Sequence, residues 1–247
     1  HDGKEFRNFS EKDGLIGTQM NAGIEDREGN IWMGSNKGLS IYNPLLREGS
    51  FRNFSGKKDG LKSDSVTAIL QDRKGRIWLG GNQGGTVWNG SKFKTFELRS
   101  ADGQDFCVWY LFEDSKGYIW MGTYLGGLFR YDGKKYEDYS KKLGLKSKSY
   151  LAVAGDRSGN MYFGSFDGVY IYNPVSGRLS QITEASCLSS DLVYVMAFDS
   201  TYENLYIGTN QGVNKFNVKE FKKSGKIILE QYGQEEGVSS LETNSNG

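Results

Sequence analysis

Asp26-Arg27-Glu28-Gly29-Asn30-Ile31-Trp32-Met33-Gly34-Ser35 holds no nucleophile beside a base and no metal-ligand spacing. Yet it returns four times down the chain. The copies are Asp72-Arg-Lys-Gly-Arg-Ile-Trp78-Leu-Gly-Gly81, Asp114-Ser-Lys-Gly-Tyr-Ile-Trp120-Met-Gly-Thr123, Asp156-Arg-Ser-Gly-Asn-Met-Tyr162-Phe-Gly-Ser165 and Asp199-Ser-Thr-Tyr-Glu-Asn-Leu-Tyr206-Ile-Gly-Thr209. The aromatics Trp32, Trp78, Trp120, Tyr162 and Tyr206 stand 46, 42, 42 and 44 residues apart. A period of this size, with four short strands in each unit, is the signature of a propeller blade. The expected fold is an all-β propeller of four-stranded antiparallel blades.

Each unit reads alike. An apolar first strand, such as Val66–Leu70, runs into Asp-x-x-Gly. There the carboxylate can accept backbone N–H groups and the glycine can take a positive φ, which predicts a tight hairpin. The second strand carries Ile-Trp-x-Gly, a short Asn/Gly-rich turn follows, and a third strand leads by a second turn to an outer strand. Blades are expected at about 16–55, 64–97, 105–139, 149–183 and 192–232. The anchor aromatics are expected between neighbouring blades, with the glycine two positions on allowing close backbone approach. The fifth copy has one extra residue and Glu203-Asn204 where its turn glycine would be, so its hairpin is expected to be irregular.

The ends repeat parts of the unit. Residues 1–10 match the outer strand that begins at Asp132, and residues 237–247 open like Gly60-Leu61-Lys62-Ser63, the lead-in to a first strand. Either the two ends share a closing sixth blade, or the chain is a piece of a larger ring. Two strands make a thin blade, which favours the larger ring.

The 31 basic and 30 acidic residues nearly cancel, so bulk charge does not point to nucleic acid or a membrane surface. No apolar run approaches the roughly 20 residues of a membrane helix. The two cysteines, Cys107 and Cys187, fall at different repeat positions and read as buried or half-buried free thiols. The single histidine is His1, which disfavours a histidine relay or general base. The repeated aspartates are explained by turn chemistry. The hairpins lack the alternating oxygen ligands of a calcium loop, and the zinc spacings are missing. No cofactor, metal or catalytic residue is expected.

The pattern Gly-Leu-x-Ser…Asp-x-x-Gly-x-Ile-Trp-x-Gly-Thr/Ser-x-x-Gly-Leu resembles the two-component regulator propeller repeat, and the resemblance covers essentially the whole chain. It implies a seven-bladed ring forming the extracytoplasmic sensor of a hybrid histidine kinase. That is a periplasmic part of an inner-membrane protein, in many members directed at oligosaccharides. The chain itself would be non-catalytic. Its partners would be an oligosaccharide or other small ligand, further blades and kinase-linked domains of the parent, and a second copy in a full-length homodimer. The tail Gly237-Val-Ser-Ser-Leu-Glu-Thr-Asn244 looks like the opening of the last blade of such a propeller. The family offers no binding motif to carry over residue by residue.

Topology supplies the candidates instead. The turns between second and third strands hold Asn36, Lys37, Asn82, Gln83, Tyr124, Phe166, Asp167, Asn210 and Gln211. Amides that bond hydroxyls and aromatics that stack on ring faces suit a sugar. Good turn residues alone explain most of them, but turn chemistry does not call for an exposed Tyr124 or Phe166. The inter-blade loops carry Lys57, Lys58, Lys62, Lys141, Lys142, Lys146 and Lys148, which suit an anionic fragment or simply a solvated surface. Other readings are a protein-interaction scaffold and, last, a propeller lyase or hydrolase.

Overall fold

The computed structural model describes residues 8–45, 51–99 and 103–237. The repeat copies become five four-stranded antiparallel sheets, each in the order of its strands along the chain. Sheet one is β1 (Met20–Glu25), β2 (Ile31–Ser35), β3 (Leu39–Tyr42) and β4 (Phe51–Phe54). Sheet two is β5 (Val66–Gln71), β6 (Ile77–Gly81), β7 (Gly84–Trp88) and β8 (Phe93–Phe96). Sheet three is β9 (Cys107–Glu113), β10 (Ile119–Tyr124), β11 (Leu128–Tyr131) and β12 (Tyr136–Asp138). Sheet four is β13 (Tyr150–Gly155), β14 (Met161–Ser165), β15 (Gly168–Tyr172) and β16 (Leu179–Ile182). Sheet five is β17 (Val193–Phe198), β18 (Asn204–Thr209), β19 (Gly212–Asn217) and β20 (Leu229–Tyr232). One parallel bridge, Gly84 to Cys107, joins β7 to β9. The fold is a β-propeller of repeated blades. The outer-strand match at 1–10 and the first-strand match at 237–247 fall almost wholly outside the described residues.

The chain forms two compact units, one up to Val108 and one from Trp109. In the first, Trp32, Leu39 and Ile41 of sheet one pack with Val66, Ile77 and Leu79 of sheet two. In the second, Trp120 and Leu128 pack with Tyr150, Met161 and Phe163, and Tyr162 and Ile171 pack with Met196, Ile207 and Phe216. Trp32, Trp120 and Tyr162 each pack against the following sheet. The glycine two residues beyond the anchor sets the approach. A Cβ on Gly34 would lie 2.6 Å from Val66, on Gly80 2.5 Å from the Val108 carbonyl, on Gly122 2.3 Å from the Tyr150 carbonyl and on Gly164 2.7 Å from Val193. Real Cβ atoms essentially never come that close, so each such position can hold only glycine unless the next strand moves.

The hairpin aspartate does more than shape its turn. In the first copy, Asp26 Oδ1 accepts from the Glu28 and Asn30 N–H groups at 3.0 and 2.8 Å. Its Oδ2 accepts the anchor indole, Trp32 Nε1, at 2.6 Å. The same bond runs from Trp78 to Asp72 and from Trp120 to Asp114, both 2.8 Å, and from the Tyr162 hydroxyl to Asp156 at 3.1 Å. One buried carboxylate thus satisfies the turn and orients the ring. Burial by itself would raise the Asp26 carboxyl, but the bonds from Trp32, Asn30 and Glu28 hold it below the usual carboxylate range. The arginine after the aspartate reaches the next hairpin: Arg27 donates to the Asp72 and Arg73 carbonyls, and Arg157 to that of Ser200.

The fifth hairpin corrects the sequence reading. Its left-handed position belongs to Tyr202, at φ 61°, and not to Glu203-Asn204. The Tyr202 N–H closes the turn on the Asp199 carbonyl, as the Gly159 N–H does on Asp156. The extra residue is absorbed after it. Tyr206 is 38% exposed, and among the described residues no sheet follows sheet five to cover it. Cys107 and Cys187 are free, but Cys187 is exposed and ends a 3₁₀ turn with φ 68°.

Candidate functional site

The turns between second and third strands are built by a second repeated device. The hydroxyls of Ser35, Thr123, Ser165 and Thr209 donate across the turn to the carbonyls of Gly38, Gly127, Gly168 and Gly212, at 2.7 to 3.1 Å. Ser35, Ser165 and Thr209 also accept from the N–H groups of Lys37, Asp167 and Gln211. This is why each of these copies follows its glycine with Ser or Thr. Backbone polar groups are consumed inside the turn, and the intervening side chains project outward.

What they present differs from copy to copy. In the first unit, Asn36 donates to Gln19 at 2.9 Å and Lys37 pairs with Glu11 at 2.6 Å. Asn82 accepts from the Cys107 thiol at 3.3 Å, and Gln83 is exposed. In the second unit, Tyr124 and Phe166 are 45% and 37% exposed, and their rings meet edge to face with centroids 6.1 Å apart. Leu125 stands beside Tyr124 at 58% exposure. Its backbone is left-handed, φ 61°, and its N–H is held by the Ser149 hydroxyl at 3.0 Å. Gly127 N–H is held by the Lys148 carbonyl at 2.8 Å. Three apolar side chains are therefore displayed on a fixed backbone. The sequence reading found Tyr124 and Phe166 but not Leu125, whose exposure depends on a left-handed turn that Leu rarely adopts.

Asp167 is a different case. Its carboxylate accepts the Tyr170 hydroxyl in a short hydrogen bond, and its carbonyl accepts Gln181 Nε2 at 2.5 Å. Burial, and then the adjacent Asp167, push the Tyr170 hydroxyl up to about 12. Asp167 thus braces the Phe166 turn. The Asn210 carboxamide oxygen is buried without a partner among the described residues. Gln211 lines an open hollow of about 420 Å³ with Ser189, Gln231 and Tyr232. Of the loop lysines, Lys62 pairs with Glu97 at 2.8 Å and Asp105 at 3.4 Å, and Lys142 with Glu137 at 3.1 Å. The hairpin aspartates are all engaged in their turns, and among the described residues no group of three His, Cys, Asp or Glu is placed to hold a metal ion.

The family model for the two component regulator propeller matches residues 60–83 and 105–125, each running from a lead-in loop to the turn after the second strand. These two stretches carry the two-component regulator propeller repeat. Among solved structures, this chain is similar to the extracellular domain of a protein from B. thetaiotaomicron described as a putative hybrid two component system, at 21% identity and a TM-score of 0.77 over 92% of this chain and 30% of that one. A second such domain from B. thetaiotaomicron, described as belonging to a one component system, matches at 21% identity and a TM-score of 0.71, over 84% of this chain and 29% of that one. Virginiamycin B lyase from Staphylococcus aureus matches at 11% identity and a TM-score of 0.69, over 92% of this chain and 73% of the lyase. At these identities the likeness concerns the fold. The chain spans about a third of the length of the two extracellular domains. A search among curated protein sequences finds no match. No described helix is long and apolar enough to cross a membrane.

Proposed function

We propose that this regulator propeller is a non-catalytic, extracytoplasmic ligand sensor. It would be the periplasmic part of a hybrid two-component protein that reports oligosaccharide to a histidine kinase, as a homodimer at full length. The observation that carries this reading is the Tyr124–Phe166 pair. Two exposed rings in mutual contact on a backbone braced by Thr123, Ser149 and Asp167 form a preorganised stacking surface, the geometry a pyranose face needs. The hydroxyls and amides of the neighbouring turns would bond the sugar hydroxyls.

Calorimetric titration of the chain with neutral oligosaccharides tests it. Tyr124→Ala and Phe166→Ala should each weaken binding about tenfold, roughly 1.4 kcal/mol, with the melting temperature unchanged. An array of glycans giving no signal, together with a stable protein partner lost in Leu125→Asp, would favour the interaction-scaffold reading, which the exposure of Leu125 supports. Turnover of a polysaccharide by the purified chain would overturn the non-catalytic assignment that the engaged aspartates favour.

A further inference from the structure

The strands of sheets four and five have a second end, where the Asp-x-x-Gly hairpins lie. There a hollow of about 540 Å³ opens between the β15–β16 turn and the helix Val218–Ser224. Ile171 and Phe221 supply its apolar part, and Arg178, Lys222, Lys223 and Ser176 stand around it. Lys222 is already engaged: it pairs with Asp156 at 2.8 Å and donates to Ser158 at 3.2 Å. The other two cations are not. Lys223 reaches Glu220 only at 4.0 Å, the limit of an ion pair, with an exposed side chain. The Arg178 guanidinium has no carboxylate partner among the described residues and lies 3.9 Å from where a Cβ on Gly225 would sit. Its five donors therefore face the hollow and solvent.

The first unit shows what the repeat alone produces at this place. Between sheets one and two, a hollow of about 330 Å³ has the same framework. Asn43 donates to Asn30 there at 2.8 Å, as Asn173 donates to Asn160 at 2.7 Å in the larger hollow, and Ile41 takes the place of Ile171. That lining sets Asp26 and Glu28 against Arg52, so its formal charge is −1. The repeat makes the hollow. Arg178 and the helix Val218–Ser224, neither of which the repeat requires, enlarge it and make it cationic. Two lysines in the last turn of a helix complement its dipole in any protein, but Arg178 belongs to a hairpin, and no such argument accounts for it.

We infer that this hollow binds a small anionic sugar, a mono- or disaccharide bearing a carboxylate, sulfate or phosphate. The guanidinium offers a two-pronged donor to an oxyanion, Lys223 adds a second positive charge, and Ile171 and Phe221 take an apolar ring face. The site is independent of the Tyr124 face. Calorimetric or NMR titration of the whole chain with glucuronate, galactose 6-sulfate and glucose 6-phosphate, against glucose, tests it. At least one anionic sugar should bind and glucose should not, and the arm that saturates identifies the oxyanion. Arg178→Ala should weaken binding about tenfold and Lys223→Ala a few-fold. Added salt should weaken it further, and Tyr124→Ala should leave it unchanged, which separates this site from the neutral-sugar surface. Both cations are exposed, so circular dichroism and melting temperature should not move. No saturation by any anionic sugar up to about 10 mM, equal binding of glucose, or binding that survives the Arg178→Ala/Lys223→Ala double variant would overturn the inference.

Discussion

Repeats four and five share strand order and register, yet one inserted residue separates their behaviour. In repeat four, Asp156 and Tyr162 are six apart, the turn glycine Gly159 has φ 83°, and the buried Tyr162 hydroxyl bonds the carboxylate at 3.1 Å. In repeat five, Asp199 and Tyr206 are seven apart. The turn survives, because Asp199 still accepts Glu203 N–H at 3.0 Å, and Asn204 Nδ2 takes its other oxygen at 2.7 Å. The anchor bond does not appear. The strain of a left-handed Tyr202 is offset by its stacking on Phe198, 5.1 Å between centroids, and by the Arg157 guanidinium 4.7 Å above its ring. Closing the hairpin is thus local, whereas the anchor bond is seen only where the aspartate and the anchor stand six apart and a described sheet follows.

The largest effect should come from the anchors. Tyr162→Ala should cost about 3–5 kcal/mol in urea denaturation, since a large buried ring is lost, whereas Tyr206→Ala should cost under about 1 kcal/mol. Equal costs would erase the distinction drawn here.

Next come the carboxylates. Asp156→Ala should cost about 2–4 kcal/mol, because it strands Lys222, the Asn160 amide and the Tyr162 hydroxyl in partly or wholly buried positions. Asp199→Ala, on the exposed turn, should shift the melting temperature much less.

A pH titration sharpens the same contrast. Burial would raise the Asp156 carboxyl, but Lys222 and Asn160 hold it below the ordinary range. Desolvation opposes Asn204 and Thr201 at Asp199, and the bonds win, taking it down to about 2. A carboxyl lowered in the folded state stabilises above its unfolded pKa and loses that contribution as pH falls through the folded value. Stability should therefore be level from pH 7 to about 5 and decline below about 4. Asp156→Asn and Asp199→Asn should each make that decline shallower.

The smallest effects test the turns themselves. Gly159→Ala should cost about 1–2 kcal/mol for the left-handed backbone. Tyr202→Gly should stay within about 1 kcal/mol of neutral, since relief of strain offsets the lost stacking.

Much of the fold was legible because it repeats. Four copies of an aspartate, a glycine and an aromatic at fixed offsets, and a fifth with one residue inserted, identify hairpins and blades without any coordinates. The six-residue interval from Asp26 to Trp32 was also in plain view, but its meaning was not. A side-chain bond between a turn and the strand after it becomes visible only when the hairpin twist brings indole and carboxylate together. Leu125 and Arg178 were illegible for another reason: neither is a repeated position. Their exposure depends on a left-handed turn in one case and on an unrepeated helix in the other. Asp167 was legible as a turn residue, but its bond to Tyr170 was not, because the donor lies on the next strand.

By itself, the sequence determined the blade and its hairpin turns, since these rest on local backbone preferences and on a period that each copy restates. Tertiary structure decided which of the varying side chains are available. Lys37, Lys62 and Lys222 are consumed by partners distant in sequence and Asp167 by Tyr170 on the next strand, while Tyr124, Leu125, Phe166 and Arg178 are left facing solvent. Availability depends on neighbours from other strands, which only packing brings within reach.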